Sequence, residues 1–230
     1  MTTVDNGMGV IFDLDGVLVD TSQFHLKAWY DLAEKEGFEM SDHLFYSTFG
    51  MQNYQILPML AKRELSAGEI ERMSQWKEER YRELIQGRLE LMGGVKTLIE
   101  ELKSSGFALA IGTSTPRVNL DFMLEQISIK AYIDACVTGE DVSNGKPAPD
   151  TFVKAAEKLS LSPGKCAVVE DAVQGVESGK KAGMAVVAVT TTRERANLKQ
   201  ADIIVDSLNE LKADDFLKLI TDSNRNQNLA

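Results

Sequence analysis

In the second half of the chain the apolar residues fall in short, nearly unbroken runs: residues 107–111 (FALAI), 135–137 (ACV), 166–169 (CAVV), 185–189 (AVVAV) and 203–205 (IIV). Continuous apolarity with many β-branched residues predicts strands covered on both faces, as in a parallel sheet. The segments between them, 118–126, 150–159 and 173–182, have helix lengths. A strand–helix succession of this kind predicts an α/β fold with a doubly wound, Rossmann-like parallel sheet. An earlier run, residues 10–12 (VIF), is expected in the same sheet.

Between that first run and the Gly93-Gly94 turn the pattern changes to three helical segments with no convincing strand. This predicts an inserted α-helical unit over residues 21–89, with the α/β core formed by 1–20 and 90–230. The third helical pattern opens with Ser66-Ala-Gly-Glu69, a capping box in which two side chains satisfy free backbone donors reciprocally. Its inward stripe is Ile70, Met73, Lys77, Tyr81 and Leu84. Lys77 on an apolar stripe either runs its amine out to water or faces an anion. His25 shares a face with Ala28, Trp29 and Leu32, as a packed histidine or a ligand contact. Residues 222–230 (DSNRNQNLA) look too polar to pack.

At 230 residues, 43% hydrophobic and 26% charged, the chain can build one large core or a core with a smaller insert. No run approaches the roughly 20 apolar residues that span a bilayer, and the N-terminus lacks the order of a secretory signal, so a cytoplasmic location is expected. Cys136 and Cys166 lack metal-ligand spacing and are expected to be reduced core thiols. The net charge of −10 argues against a nucleic-acid or anionic-membrane surface. An anionic ligand must therefore be attracted locally. The oligomeric state stays open, and a single copy is compatible with the sequence.

Ligands of open α/β sheets bind at the carboxyl ends of the strands, and the residues there form a coherent set. The first run ends in Asp13 and Asp15, the next in Thr113 and Ser114; Lys146 follows 135–137 in GKPAPD, and Glu170-Asp171 follow 166–169. Four carboxylates converging on one crevice need positive charge. A cluster rich in oxygen donors, without histidine or cysteine, suits a hard divalent cation, Mg²⁺ best where a phosphate is also held. With Lys146 as second cation and Thr113 and Ser114 as an oxygen cradle, the set describes phosphoryl transfer. One aspartate attacks and forms an acyl phosphate, and the other protonates the leaving oxygen, for which it must hold a proton near neutral pH with help from a neighbouring carboxylate.

From residue 9 to about residue 211 the chain resembles the haloacid dehalogenase superfamily, on FDLDGVLVDT, IGTS, GKPAPD and VVEDAVQGVESGKKAGM. The resemblance implies Asp13 as nucleophile, Asp15 as acid/base, Thr113 and Ser114 as phosphate binders, Lys146 as charge-balancing lysine, and Glu170 and Asp171 as magnesium ligands together with Asp13 and the Asp15 backbone carbonyl. The helical insert is similar to the cap of the subgroup with β-phosphoglucomutases and small-metabolite phosphatases. HLKAW at 25–29 and Lys77 ahead of Tyr81 match that cap, which implies substrate contacts from His25 and Lys77. The loop Gly50-Met51-Gln52-Asn53 offers Asn53 where those mutases present an arginine, and Arg117 is a candidate partial substitute. The leading expectation is a Mg²⁺-dependent phosphohydrolase acting on a small phosphorylated metabolite, a sugar phosphate first. A β-phosphoglucomutase-type isomerase and a non-catalytic binding module are the alternatives. The repeated Gly175, Gly179 and Gly183 are expected to permit close packing of a helix on the sheet.

Overall fold

The computed structural model describes residues 7–49 and 51–227. Six strands, β1 (Gly9–Phe12), β2 (Ala108–Gly112), β3 (Ala135–Val137), β4 (Cys166–Glu170), β5 (Ala185–Val189) and β6 (Ile203–Val205), form one parallel sheet in the order β3-β2-β1-β4-β5-β6. Each expected strand is present, shifted by a residue at most. The strand order reverses between β1 and β4, the switch point where doubly wound sheets open a crevice.

Alternation along the strands separates two apolar layers. Val10, Phe12, Leu109 and Ile111 face one side, where α5 (Val95–Ser104), α6 (Arg117–Gln126) and α9 (Ala213–Gln227) pack with Leu98, Met123 and Phe216. Ile11, Ala110 and Val168 face the other, against Phe152 of α7 (Asp150–Lys158) and Val176 of α8 (Val173–Lys181). Cys166 is buried, Cys136 half-buried, and both are free thiols. Among the described residues no helix is long and apolar enough to cross a membrane.

The insert holds four helices where the pattern predicts three: α1 (Ser22–Glu36), α2 (Asp42–Thr48), α3 (Asn53–Ala61) and α4 (Ala67–Ile85). The middle stretch divides because each short helix has its own start signal. Ser41 Oγ accepts from the Leu44 N–H ahead of α2, and Gln52 with Gln55 makes a capping box ahead of α3. The expected Ser66–Glu69 box is present at α4. These helices close around their own core of Trp29, Leu32, Phe45, Ile56, Leu57 and Met73. The polar C-terminal stretch is helical without being packed: residues 222–227 continue α9, which the buried Phe216 and Ile220 anchor, while Asp222 and Arg225 stay exposed as expected, and 228–230 lie outside the described residues.

The glycines after the acidic pair serve three purposes rather than one. Gly179 approaches Val186 and Val168 closely, as expected of helix–sheet packing, whereas Gly183 takes a left-handed turn after α8 at φ +74°. Gly175 belongs to the chemistry, since a Cβ there would stand 1.7 Å from Glu170 Oε1.

Candidate active site

The ladder positions the first acid directly: Asp13 N–H donates to Val169 O at 2.9 Å, one residue past β1, and Thr113 N–H donates to Val137 O at 3.0 Å past β2. The chain then turns tightly, with Gly16 N–H donating to Val19 O at 2.7 Å, while Leu14, Val17 and Leu18 go into the core. The turn needs glycine at φ +85°, and a Cβ at Gly16 would fall 2.1 Å from Asp171 Oδ2.

Lys146 arrives from the loop ahead of α7, where Ala148 N–H donates to Gly145 O and the Ser178 hydroxyl holds Ala148 O at 2.6 Å. Its ammonium lies 4.8 Å over the Phe152 ring, 3% exposed, and donates to Asp13 Oδ1 and Glu170 Oε1, both at 2.6 Å. Glu170 Oε2 accepts from the backbone N–H groups of Asp171 and Ala172 at 2.8 and 3.0 Å. Asp171 is held by the Thr192 hydroxyl.

Asp13, Glu170 and Asp171 are buried and offer oxygens within 4.8 Å of one another. Burial raises the Asp13 pKa to about 7; Lys146 opposes this, and the charges of Glu170 and Asp15 add to it. Burial, Glu170 and Asp13 raise Asp171 as well. Three carboxylates face one ammonium, so burial first and then their mutual repulsion disfavour the charged forms. That all-oxygen donor set fits a hard divalent cation. Asp15 adds no carboxylate to it, which corrects any side-chain reading of that expected ligand; its backbone carbonyl is what the resemblance implies.

The Asp15 carboxylate turns instead toward α1 and β2. Oδ1 accepts from the Thr21 hydroxyl, Oδ2 from the Thr115 hydroxyl at 2.5 Å, and His25 Nε2 stands 3.4 Å from Oδ1. Burial raises its pKa, but the His25, Thr115 and Thr21 contacts outweigh that and bring it down to about 2. These donors work against the expectation that Asp15 carries a proton near neutral pH: the neighbouring carboxylate is too weak an influence beside them. Burial and the Lys77 charge lower the His25 pKa against the pull of Asp15. An ammonium only donates, so His25 Nδ1 accepts from Lys77 Nζ at 2.9 Å and the neutral ring carries its proton on Nε2, toward Asp15.

These groups line a cleft of about 250 Å³ between the strand ends and the helical insert. Asp13, Asp15, Thr113, Ser114, Lys146, Glu170 and Asp171 meet there, joined from the insert by His25, Asn53 and Lys77. Ser114 Oγ is buried without a hydrogen-bond partner, a polar atom free to meet an anion. Lys77 does not run out to water: it is 2% exposed, within the cleft, and paired with Glu78 at 2.9 Å. Arg117 is not brought to the cleft. Its guanidinium pairs with Asp141 at 2.7 Å, so it cannot stand in for a cap arginine. Sequence reasoning missed Thr21, Thr115, Thr192 and Glu78. The two threonines around Asp15 lie within or beside quoted motifs, but only folding shows that their hydroxyls set its charge.

Residues 10–189 match the family model described as haloacid dehalogenase-like hydrolase. The chain belongs to the haloacid dehalogenase-like hydrolases. It is 33% identical over 175 residues to the phosphorylated carbohydrates phosphatase of Thermotoga maritima, spanning 76% of this chain and 81% of that protein. It is 29% identical over 209 residues to the β-phosphoglucomutase of Bacillus subtilis, spanning 88% and 90%. The solved β-phosphoglucomutase of Clostridium difficile shares the fold with a TM-score of 0.86 at 28% identity, covering 94% of this chain and 97% of that one. In this haloacid dehalogenase-like hydrolase all four quoted motifs meet at the strand ends around the switch point.

Proposed function

We propose that the chain is a Mg²⁺-dependent phosphohydrolase that removes phosphate from a small phosphorylated metabolite, a sugar phosphate first, through an aspartyl phosphate on Asp13. The observation that carries this is the charge-deficient cluster of Asp13, Glu170 and Asp171 around Lys146, with the unpartnered Ser114 hydroxyl beside it at the switch point. Asp13, Asp171 and Glu170 would hold the cation, which supplies charge neutralisation at the phosphoryl oxygens. The Thermotoga maritima relative is a phosphatase of phosphorylated carbohydrates, which supports this substrate class.

In the first half-reaction Asp13 attacks phosphorus, the ester P–O bond breaks, and Asp15 gives a proton to the leaving oxygen. In the second, Asp15 takes a proton from water as it attacks the acyl phosphate, releasing Asp13 and inorganic phosphate. The Thr21, Thr115 and His25 contacts favour the ionised form of Asp15, so it takes up its proton as a phosphate adds negative charge beside it. Lys146 keeps Asp13 oriented and partly neutralised, while Thr113 and Ser114 address phosphate oxygens.

The phosphomutase reading rests on the His25–Lys77 pair and on the β-phosphoglucomutase likenesses. Against it stand Asn53 in the cap loop and the diversion of Arg117 to Asp141. Release of free phosphate from a panel of sugar phosphates with Mg²⁺ supports the hydrolase. Conversion of β-glucose 1-phosphate to glucose 6-phosphate without phosphate release, dependent on glucose 1,6-bisphosphate, would overturn it.

A further inference from the structure

The insert half of the cleft carries one lysine, Lys77, and it does not stand free. Glu78, the next residue on α4, is 7% exposed and turns into the same cleft. Its Oε1 accepts from Lys77 Nζ at 2.9 Å and from Asn53 Nδ2 at 2.7 Å. Oε2 accepts from Asn119 Nδ2 on α6, whose Oδ1 is in turn held by Arg82 at 2.5 Å. Successive helix residues do not face each other, yet both charged side chains converge on the ligand side. Burial works against the Glu78 charge, but the Lys77 ammonium and the Lys77 and Asn53 hydrogen bonds outweigh it and hold the carboxyl below its usual range. Three donors fix it in place.

The electrostatic consequence is local. A second anionic group on a bound phosphate ester, remote from the reacting phosphorus, would meet Lys77 and Glu78 together, and their opposite fields nearly cancel. Asp15 and Glu140 line the same cleft, so nothing there compensates such a charge, and Arg117 is engaged elsewhere. The rest of the wall, Trp29, Phe49 and Ile56 with the Ser74 and Asn53 side chains, suits an uncharged alcohol that has an apolar face and a few hydroxyls.

We propose that Glu78 selects substrate by charge: by neutralising Lys77 in the insert half of the cleft, it restricts the enzyme to monophosphate esters with an uncharged leaving group and rejects bisphosphates and phosphorylated carboxylic acids. This rests on the phosphohydrolase reading and adds to it the class of leaving group. Glu78 is a specificity residue, not a catalytic one. It acts by what it refuses, as an unfavourable contact built against the wrong ligand.

The test has two arms. Calorimetry on Asp13→Asn protein with Mg²⁺ compares glucose 6-phosphate with glucose 1,6-bisphosphate, which reads recognition whether or not the protein turns over. The bisphosphate is expected to bind about tenfold or more weaker than the monophosphate, since like-charge juxtaposition is costly. Equal or tighter bisphosphate binding overturns the proposal. In the second arm Glu78→Gln, which keeps the side-chain shape and one acceptor oxygen for Asn53 or Asn119, is combined with Asp13→Asn. The bisphosphate penalty is expected to shrink about tenfold as the Lys77 ammonium is released. An unchanged penalty in a double variant with a normal melting temperature overturns the role of Glu78. If that variant does not fold, Lys77→Met replaces it, and the penalty must grow rather than shrink. Absence of phosphate release from every monoester, with the binding difference intact, would count against the hydrolase reading alone.

Discussion

The two halves of the cleft solve opposite electrostatic problems. On the sheet side, three buried carboxylates share one lysine, and burial together with their mutual repulsion raises the pKa values of Asp13 and Asp171. On the insert side, Lys77 and Glu78 balance each other and the wall is aromatic and aliphatic. An unbalanced half calls for a cation and a phosphate; a balanced half calls for something uncharged. The proposed reaction therefore places its chemistry at the strand ends and its choice of substrate in the helices above them.

Asp13→Asn cuts most deeply into this division. It is expected to lower phosphate release by more than about a thousandfold, as loss of a nucleophile does, with far-ultraviolet circular dichroism unchanged; retention of more than about a tenth of the activity would contradict nucleophilic attack. Removing divalent cations with a chelator should stop turnover to a similar extent, and returning Mg²⁺ should raise the melting temperature because a ligand of the native state stabilises it. A melting curve insensitive to Mg²⁺ up to millimolar concentration would break the account of the sheet side.

Lys146→Met leaves Asp13 and Glu170 buried without their cation. It should cost roughly 3 kcal/mol or more of stability in urea titration, since breaking one side of a buried pair strands the other, together with a loss of about a hundredfold in kcat. Thr115→Val removes one hydroxyl from Asp15 and should lower kcat by about tenfold, the worth of one hydrogen bond to a charged group, with little change in KM. A change confined to KM would place Thr115 with the leaving group instead. At the small end, Ser66→Ala at the start of α4 should cost about 1 kcal/mol of stability as a lost cap, with kcat/KM on monophosphates unchanged within about twofold, as for a surface substitution away from the cleft; a larger activity effect would mean that the insert transmits strain to the cleft.

The same division governs what the sequence discloses. Asp13, Thr113 and Glu170 stand at or directly after the ends of apolar runs, so the hydrogen-bond ladder alone carries them to their places, and runs such as AVVAV announce the strands. The insert side is assembled from distant positions: Lys77 meets His25, and Glu78 meets Asn53 and Asn119, through packing that no local pattern encodes. Arg117 reads as a cleft residue by position after β2, yet the nearby Asp141 captures it. Proton placement is hidden for the same reason. That Asp15 is ionised at neutral pH depends on Thr21, Thr115 and His25 arriving from three different segments. The helical continuation of the polar tail depends on Phe216 and Ile220, which lie outside the segment whose composition suggested no packing.

The central claim is that Asp13, in its cation-demanding pocket, takes the phosphoryl group. The most direct test is mass spectrometry of rapidly acid-quenched enzyme mixed with a hydrolysed sugar phosphate and Mg²⁺, followed by proteolysis. The account predicts one phosphoryl group on the peptide containing Asp13, absent from Asp13→Asn protein. Steady phosphate release from the wild type with no label on that peptide, or the same label in the variant, would contradict it.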